Sequence, residues 1–450
     1  MAEPKAQATR GQGSRVRNLL TICAVSKRTA FWIRLLGVTC LGVVWLVSML
    51  HHILRHLYDQ APELNGYEYS WFFRLLLNMV GYSTVLLPML IAYKYLHRTN
   101  YFDKITTQTG AVYRALSACF GAPEERLAEA PRRRDDDGGA LSEGAELAFC
   151  FTGLMGAYLV WGLLQEKIMT QEYHLSDGKP ARFKDSQFLV LVNRLAALLV
   201  AATRLICSGQ PLVSAPLYPF SYCSLTNVIS AWCQYEALKY VSFPTQVLSK
   251  SCKVVPVMLM GKLVSRAQYE LYEYVTALLI SAGMVLFMLG SHDDKGASAA
   301  TTASGFCLLG LYMACDSFTS SWQGALLSRR GCGPLRSLCA VNVFSVALAA
   351  ASSPLPAASL SPAFVWDCLI LSASSTLGQL FIYRTIDRFG AVLFTIIMTL
   401  RQATSILVSC VVFGHRVSWA GACGVGAVFA AVLLRVYCRH RLRRRKAPPL

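Results

Sequence analysis

"VLSKSCKVVPVMLMG" occupies positions 247–261 and decides how the chain is read. Most of it has the composition of a membrane helix, yet Lys250 and Lys253 stand inside it. A charge at the centre of a hydrocarbon layer costs roughly 2.5–3.5 kcal/mol on insertion scales. Residues three apart on a helix are neighbours, about 5–6 Å between Cβ atoms, so the two lysines form one cationic patch. Lysines near helix ends snorkel to the headgroups, as Lys262 is placed to do, but Lys253 lies over two turns further in. Such a pair is retained where negative charge meets it, from a neighbouring helix or from a ligand.

The surrounding chain supports the membrane reading. Of 450 residues 54% are hydrophobic and 15% charged, against about 25% charged in soluble domains. The mean hydropathy is +0.42, and apolar runs near the 20-residue spanning length recur from Phe31 to Tyr437. "FWIRLLGVTCLGVVWLVSML" (31–50) has too long a polar lead for a signal peptide and reads as a retained signal anchor. A second span follows from about 71 to 96. Ten more are expected at about 147–165, 186–206, 221–240, 244–262, 270–290, 303–326, 335–353, 363–383, 389–413 and 417–438. The expected fold class is an all-α integral membrane protein, with a ten-helix core behind two extra N-terminal transmembrane helices. Its parts are a basic cytosolic N-terminus (1–30), the leading helices (31–96), a polar disordered cytosolic linker (97–146), the core (147–438) and a basic cytosolic tail (439–450).

The net charge of +18 is placed at the flanks of apolar runs, in "PRRRDDD" (131–137), "SRR" (328–330) and "RHRLRRRK" (439–446). That is the positive-inside pattern with both termini cytosolic, so lipid headgroups account for it and nucleic acid is not an expected partner. The sixteen cysteines contain no C-x-x-C pair and mostly sit in apolar runs as small packing residues. No H-E-x-x-H or G-x-S-x-G occurs, and the eight histidines fall outside the core helices. Neither catalysis, a metal nor a cofactor is expected.

The core carries a faint duplication. "SAWCQYEALKYVSFPTQVLSKSCK" (230–253) and "SSTLGQLFIYRTIDRFGAVLFTIIMTLRQ" (374–402) set Gln234 over Gln379 and Lys239 over Arg384, both offset by 145 residues. A few inserted residues later Lys253 comes close to Arg401. About five helices separate the copies, and an odd number inverts the second. Inverted five-helix repeats are a signature of secondary transporters, with the substrate at the midplane. Arg401 then faces the lysine pair across a central cavity. Ion pairs with Glu236, Glu273 or Asp316 are the structural alternative.

Other polar side chains fall at related depths: Tyr158, Trp161 and Gln165 on one helical face, Asn193, Gln234, Tyr235, Asp316, Asn342, Gln379, Tyr383 and Gln402. Rings that stack a base, amides that read its edge and cations that hold phosphates suit a nucleotide. Interhelical hydrogen bonds are the plainer use of each residue taken singly.

At these residues a family likeness emerges. "WCQYEALKYVSFPTQVLSKSCKVVPVMLMGKLVSR" (232–266), "FTIIMTLRQATSILVSCVVFG" (394–414) and "DSQFLVLVNR" (185–194) resemble the nucleotide-sugar transporter family of the drug/metabolite transporter superfamily. "WFFRLLLNMVGYSTVLLPMLIAYKYLHRTNY" (71–101) and "DSFTSSWQGAL" (316–326) are similar to its members that carry 3′-phosphoadenosine 5′-phosphosulfate (PAPS). The resemblance implies an inverted-repeat carrier with alternating access, moving PAPS from cytosol to Golgi lumen for sulfotransferases, with adenosine 3′,5′-bisphosphate returning. It also implies that Lys253 or Lys250 and Arg401 hold phosphates, with Asn342 and Tyr235 at the family's polar and aromatic positions. A UDP-sugar/UMP antiporter of the same fold and a non-transporting membrane scaffold are the alternatives. A homo-oligomer is left open.

Overall fold

The computed structural model describes residues 5–61, 70–104, 111–121, 140–174, 180–182, 186–209, 216–251, 254–265, 270–290, 299–330, 334–353, 362–413 and 418–446. Two long helices lead: α1 (Lys5–Gln60), with side chains described from Phe31, and α2 (Ser70–Arg98). They pair with each other. Asn100 adopts a left-handed φ of 46°, which asparagine tolerates, and turns the chain into α3 (Tyr101–Lys104). Helix α4 (Ala111–Phe120) comes next, then α5 (Ala140–Thr170). A two-stranded antiparallel ribbon, β1 (Glu172–His174) against β2 (Pro180–Arg182), sets Glu172 opposite Arg182. Helix α6 (Ser186–Cys207) ends at Gly209, whose φ of 63° and bond to the Ile206 carbonyl close it in the usual glycine-terminated way.

The rest is α7 (Phe220–Ala237), α8 (Phe243–Ser251), α9 (Val254–Ser265), α10 (Leu271–Gly290), α11 (Ala299–Arg330), α12 (Pro334–Ser352), α13 (Pro362–Phe413) and α14 (Trp419–Lys446). The main pairings of this bundle are α10 with α14, α5 with α13, α7 with α11 and α6 with α12. Large apolar side chains such as Leu41, Trp45, Leu199, Leu263, Leu278 and Trp366 face outward. Meanwhile Gln165, Glu166, Gln187, Glu236, Gln246 and Asn342 are buried. This inside-out distribution suits a lipid solvent, in which polar groups must find partners within the protein.

Among the described residues six helices are long and apolar enough to cross a membrane: Phe31–Gln60, Ser70–Arg98, Gly144–Thr170, Ser186–Cys207, Leu335–Ser352 and Pro362–Ile382. Twelve spans are expected from sequence over the whole chain, and α7 is one of those that do not stand among the six. It buries Ser221, Ser224, Ser230, Tyr235 and Glu236 against other helices, so its composition is polar where its surroundings are protein.

The helix expected over 244–262 is described as α8 and α9, and Cys252 and Lys253 between them lie outside the described residues. Two expectations need correction. The two helices expected at 363–383 and 389–413 are one continuous α13 of 52 residues. At a rise of 1.5 Å per residue that is about 78 Å, over twice the hydrocarbon thickness. The segment 386–391 ("IDRFGA") holds no proline, and Gly390 alone does not stop a helix. The all-α expectation holds for the described residues apart from the short ribbon of β1 and β2. Finally, the stretch expected as disordered linker contains α4, whose Ala118 and Cys119 carbonyls accept bonds from the Leu217 and Tyr218 N–H groups (3.1 and 2.9 Å). Its apolar residues are outnumbered in the sequence by the charges that follow.

Candidate functional site: a cation pair over an aromatic step

Helix α5 is the floor of the site because it lies antiparallel to the first half of α13. Lys167 pairs with Asp367 (2.8 Å) at one end and Glu146 with Arg384 (2.8 Å) at the other. Between them glycines let the backbones close. A Cβ on Gly378 would stand 2.6 Å from the Tyr158 ring, and one on Gly153 2.2 Å from Phe381. Small residues at helix contacts serve this purpose in membranes. Tyr158 is thereby pinned by Gly378. Trp161, one turn on, meets it edge to face at 6.1 Å between ring centroids.

The two cations converge on this step. The Arg401 guanidinium carbon lies 4.8 Å from the Tyr158 ring centre, and Lys250 Nζ lies 5.1 Å from that of Trp161. Arg401 is buried, and its Nε has no hydrogen-bond partner. Cations over ring faces are attracted by the aromatic quadrupole. The sequence reading gives these rings a base to stack; in the structure they carry the cations. Helices α5, α8 and α13 therefore bring Tyr158, Trp161, Lys250 and Arg401 together from 243 residues of separation along the chain (158 to 401).

Amides line the adjoining space. Gln234 donates to Gln165 Oε1 (3.2 Å), and Gln246 donates to the Gln234 carbonyl. Asn193 donates to the Tyr235 hydroxyl, which sits beside Trp161. Gln165 Nε2, Asn193 Oδ1, Asn342 Oδ1 and Gln379 Oε1 are buried without a hydrogen-bond partner. Unpaired buried amide atoms are uncommon and cost about 1–3 kcal/mol each, so their concentration marks a polar interior. Asn342 bonds its own helix through the Leu338 carbonyl (3.0 Å). Gln379 lies half-buried on α13. Neither is joined to the cation pair by a described contact. Lys253 lies outside the described residues, as do the side chains of Tyr383 and Gln402.

Two of the acids that the sequence offers as partners for the lysines are taken elsewhere. Glu236 pairs with Arg74 and Lys239 (2.8 Å each), and Glu273 with Arg435 (3.5 Å). Asp316 is within electrostatic reach of Arg194 and of Tyr312, and Tyr312 in turn of Arg401. Tyr312 and Arg194 join the site without standing among its sequence-derived candidates. Tyr312 precedes Asp316 by one turn, and Arg194 follows Asn193 directly. Arg194 donates to Asn227 Oδ1 (2.9 Å).

These features define a class: a multi-pass helical membrane protein whose interior is polar and cationic. The chain belongs to the UAA transporter family, a nucleotide-sugar transporter family that matches residues 146–439. The family likeness read from the sequence is thus borne out. It is 49% identical over 405 residues to the adenosine 3′-phospho 5′-phosphosulfate transporter 1 of Drosophila melanogaster, covering 86% of this chain and 87% of that one. The protein of the same name in Homo sapiens is 46% identical, covering 87% and 93%. The UDP-galactose/UDP-glucose transporter 5B of Arabidopsis thaliana is 35% identical, covering 67% and 90%. An alignment over 86% of the chain does not fit within 146–439, so the likeness to the first relative reaches into the leading segment.

Proposed function

We propose that the protein is a secondary transporter of PAPS, working from cytosol to Golgi lumen in exchange for adenosine 3′,5′-bisphosphate and supplying sulfotransferases. The observation that carries this is the pair of Lys250 and the buried Arg401, held over Trp161 and Tyr158 and flanked by amides. The printed names of the Drosophila and human relatives support the substrate. PAPS and the bisphosphate each carry about four negative charges, whereas a UDP-sugar carries about two. Lys250, Lys253 and Arg401, with Arg194 nearby, match the larger load better. In this reading the ring faces stand in for phosphate in the empty carrier and yield the cations to the ligand. The amides Gln165, Asn193, Gln234, Asn342 and Gln379 then read the base and ribose, together with Tyr235, Asp316, Tyr383 and Gln402.

The core over 147–438 is, in the same proposal, two inverted repeats that alternate access. The packing supports this. Exchanging α5 with α11, α6 with α12, α7 with the first half of α13, and α10 with α14 maps the main helix pairings onto themselves. Domain limits of 1–30, 31–96, 97–146, 147–438 and 439–450 belong to the proposal, as do cytosolic termini.

The test is uptake of sulfur-labelled PAPS by liposomes holding the purified protein, with and without internal adenosine 3′,5′-bisphosphate. Uptake that needs the internal nucleotide and resists excess UDP-sugars is expected. The 35% identity to a protein named for UDP-galactose and UDP-glucose favours a second reading, a UDP-sugar/UMP antiporter. It takes the place of the first if UDP-galactose is exchanged and PAPS is not.

A further inference from the structure

The leading helices lie outside the family stretch, yet they are fixed to the core at both ends. At the Ser70 end of α2, Arg74 reaches Glu236 Oε1 (2.8 Å) and donates to the Tyr240 hydroxyl (3.2 Å). Glu236 has no exposed surface; its other carboxylate oxygen takes Lys239 Nζ (2.8 Å) and the Ser186 hydroxyl (2.6 Å). One turn-pair along α2, the Tyr82 hydroxyl donates to Gln187, and Gln187 donates to the Ser352 hydroxyl (3.1 and 2.7 Å). Arg55 of α1 donates to the Ser352 carbonyl (3.1 Å). Gly81 fits against Ser352 so closely that a Cβ would come within 2.6 Å. At the far end of α2 the Tyr93 ring stacks on Tyr218 (4.1 Å, 8° between planes), beside the docked end of α4.

The ties all reach α6, α7 and α12 or the segments on either side of α7. Glu236 is the residue after Tyr235, whose hydroxyl takes the Asn193 bond in the candidate site. Helix α6 thus holds α7 twice, through Ser186 to Glu236 and through Asn193 to Tyr235. A carboxylate with no access to water keeps its position only while its cations do.

We infer that the leading hairpin is a working part of the carrier: it clasps α6, α7 and α12, and Arg74 is a positioning residue that, through Glu236, sets where α7 presents Tyr235 to the ligand. Arg74 touches no ligand in this scheme. The inference rests on the transport reading, and the test separates the two.

Initial-rate uptake of labelled PAPS is measured for the wild type, Arg74→Lys, Arg74→Ala, Glu236→Gln and the Arg74→Ala/Glu236→Gln pair, each checked for thermal unfolding in detergent. Arg74→Ala is expected to raise KM at least fivefold, Arg74→Lys to recover most of that, and the double variant to lose no more than the worse single one. Gly81→Ala, which disturbs the clasp without touching the ions, is expected to raise KM in the same direction. Wild-type KM in Arg74→Ala, or a lowered unfolding midpoint with KM unchanged, overturns the inference. So do losses that add in the double variant. Should Arg74→Ala fail to fold, Arg74→Lys and Gly81→Ala decide alone. A wild type that takes up no PAPS refutes the transport reading instead.

Discussion

Replacing Tyr158 with leucine distinguishes a ring that holds a cation from one that holds a base. Arg401 is buried over that ring at 4.8 Å. Cation–π attraction is worth about 0.5–1 kcal/mol at exposed sites and about 2 kcal/mol or more when desolvated, so the empty carrier loses roughly 1–2 kcal/mol in Tyr158→Leu. In the loaded carrier a phosphate supplies the charge and the ring contributes less. Its removal therefore destabilises the empty state more than the loaded one, and binding tightens. At 1.4 kcal/mol per factor of ten, the expected fall in Kd for adenosine 3′,5′-bisphosphate is about 5–30-fold. Tyr158→Phe keeps the quadrupole and stays within about twofold of wild type.

The assay is equilibrium binding of the labelled bisphosphate to purified protein, beside uptake at saturating PAPS. Tighter binding with slower turnover is expected of Tyr158→Leu, since a ligand that fills the counter-ion role alone leaves reluctantly. Weaker binding in Tyr158→Leu with wild-type affinity in Tyr158→Phe refutes the reasoning. It returns the ring to the role of a stacking platform for the base.

Further predictions follow from the same geometry. Arg401→Ala and Lys253→Ala each lower PAPS uptake at least tenfold in liposomes, since both leave phosphate charge unmatched; wild-type uptake in both removes them from the site. Gly378→Ala pushes the Tyr158 ring off its seat, at an overpacking cost of about 1–3 kcal/mol, and lowers uptake while the protein still purifies as a folded species by size exclusion. Asp367→Asn frees the ribbon that Lys167 and Tyr173 tie to α13 (2.8 Å each), and faster backbone hydrogen exchange over 172–174 and 180–182 reports it. Deleting 439–446 leaves uptake within twofold of wild type; a loss greater than that from Arg401→Ala favours the scaffold reading instead.

How much of this was legible in the sequence depends on the range of the interaction. The membrane class and the shared face of Tyr158 and Trp161 follow from composition and spacing within one helix. That Lys250 and Arg401 meet this face was approached through the faint repeat, which pairs helices even where identity is thin. The fate of Glu236 was not legible, because Arg74 stands 162 residues away on a helix outside the repeat. Spacing says which residues share a face, not which helix that face meets. Tyr312 carried a signal that went unused, a hydroxyl one turn from an intramembrane aspartate. Gly378 carried none, since one glycine among many small residues gains meaning only when Tyr158 is seen against it.

The continuous α13 bears on the proposed exchange. It runs unbroken through Arg401, so that side chain rides on a continuous helix against Tyr158. Among the described residues Glu236 and Glu273 serve other cations. On the proposed transport reading phosphate supplies the charge that balances this cationic interior. An empty carrier would then take poorly balanced charge through its transition, whereas a loaded one would not.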